Sequence, residues 1–357
     1  MTAEAGDPGN DLIRQEAPGL WRALSELGRR VRQPEDFLPQ QSAEARGKPF
    51  NATIGQITDG HGHAVELPAL GAVLGALAPA ERSRALLYSP LEGLPDLRQR
   101  WRERQRRGWP AGTPSSLPLV TTGPGLARQV LAEIFAEEGR TVLLPSGIEG
   151  ARELFELRRG ARVHELPAMG GVGGALARVA EDLPAGEPLV VVVAGGDDQG
   201  AGTNPAALRE GLTAAAATRP VVVLVEDGPG ADGAEEGDGA DEGSATADAL
   251  FAELAVWRAA TEKGSLSSGG DRSGAGSGKP HPVPGQRNGA GALVPFRIEG
   301  TAKLGFPGSG LGFLTLPYEP DSRLAQELEK KVKMLLRAAA GSPPALTQVL
   351  LLAALGE

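Results

Sequence analysis

LVPFRIEGTAKLGFPGSGLGFLTL, residues 293–316, reads as strand, turn, glycine-rich loop and strand. Val294, Phe296 and Ile298 alternate with Pro295, Arg297 and Glu299, the period of a strand with one buried face. Gly300 breaks the run, and residues 311–316 form a second short apolar strand. Lys303 follows the break, among glycines. An amine held at a strand end and partly desolvated is suited to act as a nucleophile. The same lysine also fits a solvated loop, where most lysines are found.

Working upstream, the chain alternates strand and helix. Strands are expected at 117–121, 141–145, 162–166, 188–194 and 220–225, with helices at 126–136, 150–159, 174–182 and 205–217. The runs at 188–194 and 220–225 are apolar throughout, as in strands buried on both faces. Strand–helix alternation at this spacing predicts an α/β fold, a mostly parallel sheet with helices on both faces. Two segments interrupt it, 227–248, rich in glycine, alanine and acid, and 260–292, rich in glycine and serine. Neither has apolar periodicity, so both are expected to be disordered, with one short helix between them at 249–257.

Before the sheet, residues 1–10 read as a disordered tail, and 11–116 as an N-terminal helical arm, a hairpin around Asp59-Gly60 and further helices. One of these, 94–107, carries Arg98, Arg100, Arg102, Arg104, Arg106 and Arg107, a run expected to be a solvated face. After the sheet, 321–357 forms two helices, the first with a stripe of Leu324, Leu328, Val332 and Leu335.

Composition narrows the function classes. A net charge of −9 with a pI near 5.2 argues against a nucleic-acid partner. There is no cysteine, hence no disulfide, thiolate metal site or cysteine nucleophile. His61 and His63 have no third ligand at a recognisable spacing, so no metal is expected. The longest apolar runs are strand length, too short for a bilayer, and the N-terminus lacks an apolar signal core. The expectation is a soluble cytoplasmic protein with no membrane partner.

Three stretches together carry a family resemblance. GTAK followed by GLGFLTL resembles the lysine segment of the class I/II aminotransferases, and FLPQQSAEARGKPFNATIGQITDGHG at 37–62 then LLYSPLEGLPDLRQRWRER at 86–104 are similar to the N-terminal segments of that family, in the same order. These are pyridoxal phosphate-dependent enzymes of fold type I. The resemblance runs from about residue 12 to the end. It implies an aminotransferase-like large domain, with the α/β cofactor-type part at 117–320 and 321–357 leading toward a C-terminal small domain that is largely absent. It implies Lys303 as the imine-forming lysine, Glu226 as the carboxylate facing the pyridine nitrogen, and Tyr88 as the residue reaching the phosphate of a neighbouring subunit in a homodimer. It implies Thr122, Gly123 and Gly125 in the phosphate turn, and Asp198 where the family's ring-binding asparagine stands. The implied substrates are an amino acid and a 2-oxo acid, exchanging an amino group.

The departures from the family pattern are as informative. Asp198-Gln199-Gly200-Ala201 replaces Asn-Pro-Thr-Gly, Glu149 stands near the ring-stacking aromatic, and Pro229 takes the place of a tyrosine. Gly125 occupies the position of a phosphate-binding hydroxyl, and Gly310 is the nearest residue to a missing arginine. A carboxylate beside the cofactor's ring oxygen would repel it. The resemblance therefore implies an aminotransferase with a degraded site, the alternatives being a non-catalytic partner or scaffold of the same fold, or a truncated gene product.

Overall fold

The computed structural model describes residue 44 and residues 76–355, apart from 146, 147, 149, 167–171, 185, 196–204, 228–241, 268–292 and 302–309. The tail, arm and hairpin expected before residue 76 lie outside these residues. So do Lys303, Asp198, Glu149 and Pro229.

Seven strands form one sheet: β1 Leu119–Thr121, β2 Thr141–Pro145, β3 Arg162–Leu166, β4 Leu189–Gly195, β5 Val221–Asp227, β6 Leu293–Gly300 and β7 Gly312–Thr315. Their order is β1-β7-β6-β5-β4-β2-β3. β7 runs antiparallel to both of its neighbours, and the other pairings are parallel. Helices α1 Pro79–Ala85 and α2 Pro95–Gly108 precede the sheet. Within it come α3 Pro124–Phe135, a π-helical segment Glu153–Arg158, α4 Val172–Asp182, α5 Pro205–Ala216 and α6 Glu242–Ser267. Helices α7 Arg323–Ala339 and α8 Ala345–Ala354 follow it.

Side-chain alternation along β5 divides the core between the two faces. Val222 and Leu224 pack with Phe296 and Ile298 of β6 against Val130 and Leu131 of α3, Phe155, and Val332 and Leu336 of α7. Val221, Val223 and Val225 pack on the opposite side against Leu176 of α4, Leu212 of α5, and Phe251 and Leu254 of α6. A third cluster joins Leu97 and Trp101 of α2 to Val120, Phe313, and Val349 and Leu351 of α8. Trp101 stacks on Phe313 with ring centroids 3.8 Å apart.

Four expectations are corrected. The segment 227–248 does not run unstructured up to residue 249. Asp227 ends β5, and α6 spans Glu242–Ser267, reaching into both stretches expected to be disordered. Alanine-rich turns and buried Ala247, Leu250 and Phe251 account for the longer helix. β6 is buried on both faces rather than one, with Arg297 at 0% exposure and Glu299 at 6%. The arginine run of α2 is a solvated face only in part, at Arg106 and Arg107. Arg98 donates through Nε to the Pro118 carbonyl at 2.8 Å and pairs with Glu329. Arg102 bonds the Ser115 carbonyl at 2.8 Å and Glu319 at 2.7 Å, and Arg100 caps Leu355. On α7, Leu324 is exposed; Leu328, Val332 and Leu335 pack on the core as expected, joined by Ala325 and Leu336.

Helix α8 is locked under the segment preceding α2. Gln348 is fully buried, accepts from the Leu94 amide at 2.8 Å and donates to Ser89 Oγ and the Pro343 carbonyl, each at 3.1 Å. Truncating it strands the buried Leu94 amide, while the Pro343 carbonyl keeps the Ser89 hydroxyl at 2.6 Å. Gln348→Ala is expected to lower the unfolding free energy by about 1 to 3 kcal/mol, measured by urea denaturation with an unchanged slope.

Candidate functional site

The C-terminal ends of β1, β5 and β6 meet at one edge of the sheet. Thr121, Gly312 and Gly300 stand side by side in register, and Glu226 pairs with Ile298 one strand further on. Ligands of open α/β sheets lie outside this edge. Thr301, next after β6, is buried, and its Oγ1 accepts from the Leu311 amide at 2.9 Å. That bond, with the Thr301 amide on the Leu311 carbonyl at 3.0 Å, closes the base of the loop carrying Lys303.

The turn between β1 and α3 holds Thr122, Gly123 and Gly125. Gly123 has φ +81° and opens the helix, a backbone conformation that suits glycine. A side chain at Gly312 would collide with the Gly123 carbonyl and Thr121 Oγ1, so this glycine is what lets the turn lie against β7. Thr122 and Gly125 are exposed. The neighbouring hydroxyl, Thr121 Oγ1, donates back to the Gly123 carbonyl at 2.7 Å. Pro124 at the first helical position brings no N–H. The turn therefore offers backbone donors of the first helical turn to an anion, one fewer than usual, with Gly125 bringing no hydroxyl.

Glu226, one residue before the end of β5, faces α3 and is 3% exposed. Both of its oxygens are taken by one guanidinium. Arg128 of α3 donates through Nε to Oε1 at 2.8 Å and through Nη2 to Oε2 at 2.7 Å. The two side chains are 11% and 4% exposed, so this is a desolvated, bidentate pair. Its partner in sequence, Asp227, points to the other face. There it meets Arg297 Nη2 at 2.5 Å and accepts from the Gly300 amide at 3.4 Å. Tyr88 stands apart from all of these, 99% exposed beside Leu86 and Leu87.

These residues do not fit the ring of pyridoxal phosphate in the way the resemblance implies. A carboxylate that holds a pyridinium must present an oxygen to it. Glu226 instead faces the Arg128 guanidinium, which makes one bond to each of its oxygens in fork geometry. The turn fits an anion better than the strand end fits a ring. Neither Arg128 nor Arg297 was among the residues singled out from sequence. Each left a signal, a cation beside the apolar stripe of Ala127, Val130 and Leu131 in one case, and a cation between Phe296 and Ile298 inside a strand in the other. Among the described residues no group of three or more His, Cys, Asp and Glu is placed to hold a metal, and no helix is long and apolar enough to cross a membrane.

No protein-family model matches the chain, and no curated protein matches it. Solved structures do. An aminotransferase from Anaerococcus prevotii is 13% identical with a TM-score of 0.59, and the match covers 92% of this chain and 74% of that one. An aromatic-amino-acid aminotransferase from Burkholderia pseudomallei, covalently bound to pyridoxal phosphate, is 15% identical with a TM-score of 0.59, over 94% and 76%. The kynurenine aminotransferase of Pyrococcus horikoshii is 13% identical with a TM-score of 0.59, over 93% and 70%. At such identities the likeness is one of architecture: the chain has the fold of the pyridoxal phosphate-dependent, fold-type-I aminotransferases, as a divergent example spanning about three quarters or less of their length.

Proposed function

We propose that this chain is a non-catalytic protein of the aminotransferase fold, acting as a partner or scaffold rather than transferring amino groups. The observation that supports this reading is the Arg128–Glu226 pair. It commits the carboxylate expected to face the pyridine nitrogen to an internal bond of 2.7–2.8 Å on each oxygen. Without that carboxylate the ring is not kept protonated and loses its capacity as an electron sink. The replacement of the asparagine by Asp198 and of the turn hydroxyl by Gly125 weighs in the same direction.

A second reading keeps pyridoxal phosphate and an amino-acid and 2-oxo-acid substrate pair, with Lys303 as nucleophile and Thr122, Gly123 and Gly125 around the phosphate. It is favoured by one placement, the turn 121–125 lying in register with Gly300, just before the GTAK segment. In either reading a homodimer would cover Leu86, Leu87 and Tyr88, which are 87%, 66% and 99% exposed. Sedimentation checks this: Leu87→Ser should shift a dimer toward monomer, and a monomeric wild-type protein would remove the proposal.

Two measurements separate the readings. Titration of the purified chain with pyridoxal phosphate is expected to give no visible band that borohydride fixes to the protein. A band that borohydride traps, and that Lys303→Ala abolishes, would replace the scaffold reading with the enzymatic one. The ion pair itself is tested by stability. Arg128→Leu leaves a buried unpaired carboxylate and is expected to cost about 3 to 5 kcal/mol, most of it recovered in Arg128→Leu/Glu226→Leu. A loss below about 1 kcal/mol would mean that the fork is loose and that Glu226 is free to face a ligand.

A further inference from the structure

On the face of the sheet opposite Glu226, four ionisable side chains converge on β6. Arg297 is fully buried. Its Nη2 lies 2.5 Å from Asp227 of β5, its Nε 2.7 Å from Asp248 of α6, and its Nη2 4.0 Å from Glu299 of its own strand. Arg297 also donates to the Ile298 carbonyl at 2.8 Å. The three carboxylate side chains are 11%, 17% and 7% exposed. Among the described residues, one guanidinium thus faces three buried acids. If all were ionised, the cluster would carry about two uncompensated negative charges in a site of low polarity, a state that burial strongly disfavours.

Geometry selects the acid that takes the proton. Asp227 and Asp248 make direct contacts with the guanidinium, whereas Glu299 is beyond hydrogen-bond reach of it. Two neutral donors of α2 reach Glu299; they favour its charged form, and it is the lack of a contacting cation beside two other buried acids that favours its protonation. Trp101 Nε1 of α2 donates to its Oε2 at 3.2 Å, and Gln105 Nε2 of the same helix donates to the same oxygen. Gln105 also bonds Thr315 Oγ1 of β7 at 3.0 Å. The cations of α2 are engaged elsewhere: Arg98 with Glu329, Arg102 with Glu319, and Arg104 5.1 Å from the centroid of the Trp101 ring. We propose that Glu299 is a proton-binding site within the Arg297–Asp227–Asp248 cluster, and that its proton relieves the excess of buried negative charge there, so that the packing of β5, β6 and α6 around Arg297 weakens as pH rises.

Burial pushes the Glu299 carboxyl up to about 7, against the pull of Arg297, and burial also raises Asp248. A carboxyl raised in the folded state binds its proton more tightly there than in the unfolded chain. Its stabilising contribution is full below the unfolded value near 4.5 and is lost as pH rises through about 7. The device does not depend on a cofactor, since none of the four residues is placed at the ring or phosphate positions.

The test compares thermal unfolding of the full chain and of Glu299→Gln between pH 5.5 and 8.5. Wild-type Tm is expected to fall by roughly 5 °C relative to the variant across this range, because the amide mimics the protonated acid at every pH. A constant offset between the two curves, or none, would assign Glu299 a purely packing role and overturn the proposal. Infrared difference spectra of the wild-type protein decide the matter even if the variant does not fold. A protonated-carboxyl C=O band present at pH 6 and lost by pH 8.5 is expected, and its absence at pH 6 would overturn the proposal.

Discussion

A guanidinium with no solvent exposure in the body of a sheet must be neutralised where it stands, and Arg297 imposes that requirement on every element around it. β5 has to end in Asp227, and α6 has to begin early enough to present Asp248. Leucine or valine at position 297 would continue the apolar strand and ask nothing of its neighbours. The arginine trades that tolerance for specificity, because β5, β6 and α6 satisfy it only in one mutual register. Glu299, two residues on and on the same face, extends the requirement to α2 through Trp101 and Gln105. The stacking of Trp101 on Phe313 of β7 fixes the indole that makes this bond.

The end of β5 shows the same logic on both faces. Glu226 and Asp227 are consecutive, so strand geometry sends them to opposite sides. One is taken by Arg128 of α3 and the other by Arg297 of β6. The strand end is therefore tied to a helix on one side and to the adjacent strand on the other. Both ties are charged, short and shielded from water, the conditions under which removing a single partner costs most. They lie at the sheet edge where this fold places ligands.

Much of the architecture was legible because period and length are local signals. β2 and β3 fall at their expected bounds, and the fully apolar runs of β4 and β5 are buried on both faces. What sequence reading missed shares one cause. Alternation of Phe296 and Ile298 with Arg297 and Glu299 looks like an inside face and an outside face, and it is overridden here by ion pairs to residues 49 to 70 positions away. Arg98 and Arg102 of α2 were misread for the same reason, since Glu319 and Glu329 are more than 200 residues distant. Periodicity separates apolar from polar residues. It cannot separate a polar residue in water from one buried against its counter-charge. At the candidate site, Glu226 was identified as a carboxylate at a strand end, but its partner on α3 lies 98 residues earlier, and no local pattern joins the two.

Those buried pairs bear on what the fold requires for its own stability. Where the acids of a strand edge face a ligand, the folded state gains from ligand binding in proportion to the logarithm of its concentration. The chain then folds best when loaded. Here Arg128 and Arg297 supply the counter-charges from within the chain, and Gly300 adds a backbone donor to Asp227. Each of these two acids thus has a contacting cation before any ligand arrives. A ligand that needed Glu226 would have to compete with a bidentate arginine for its oxygens. The sheet edge is thus arranged so that its own ion pairs, rather than a bound group, maintain the packing of α3 and α6.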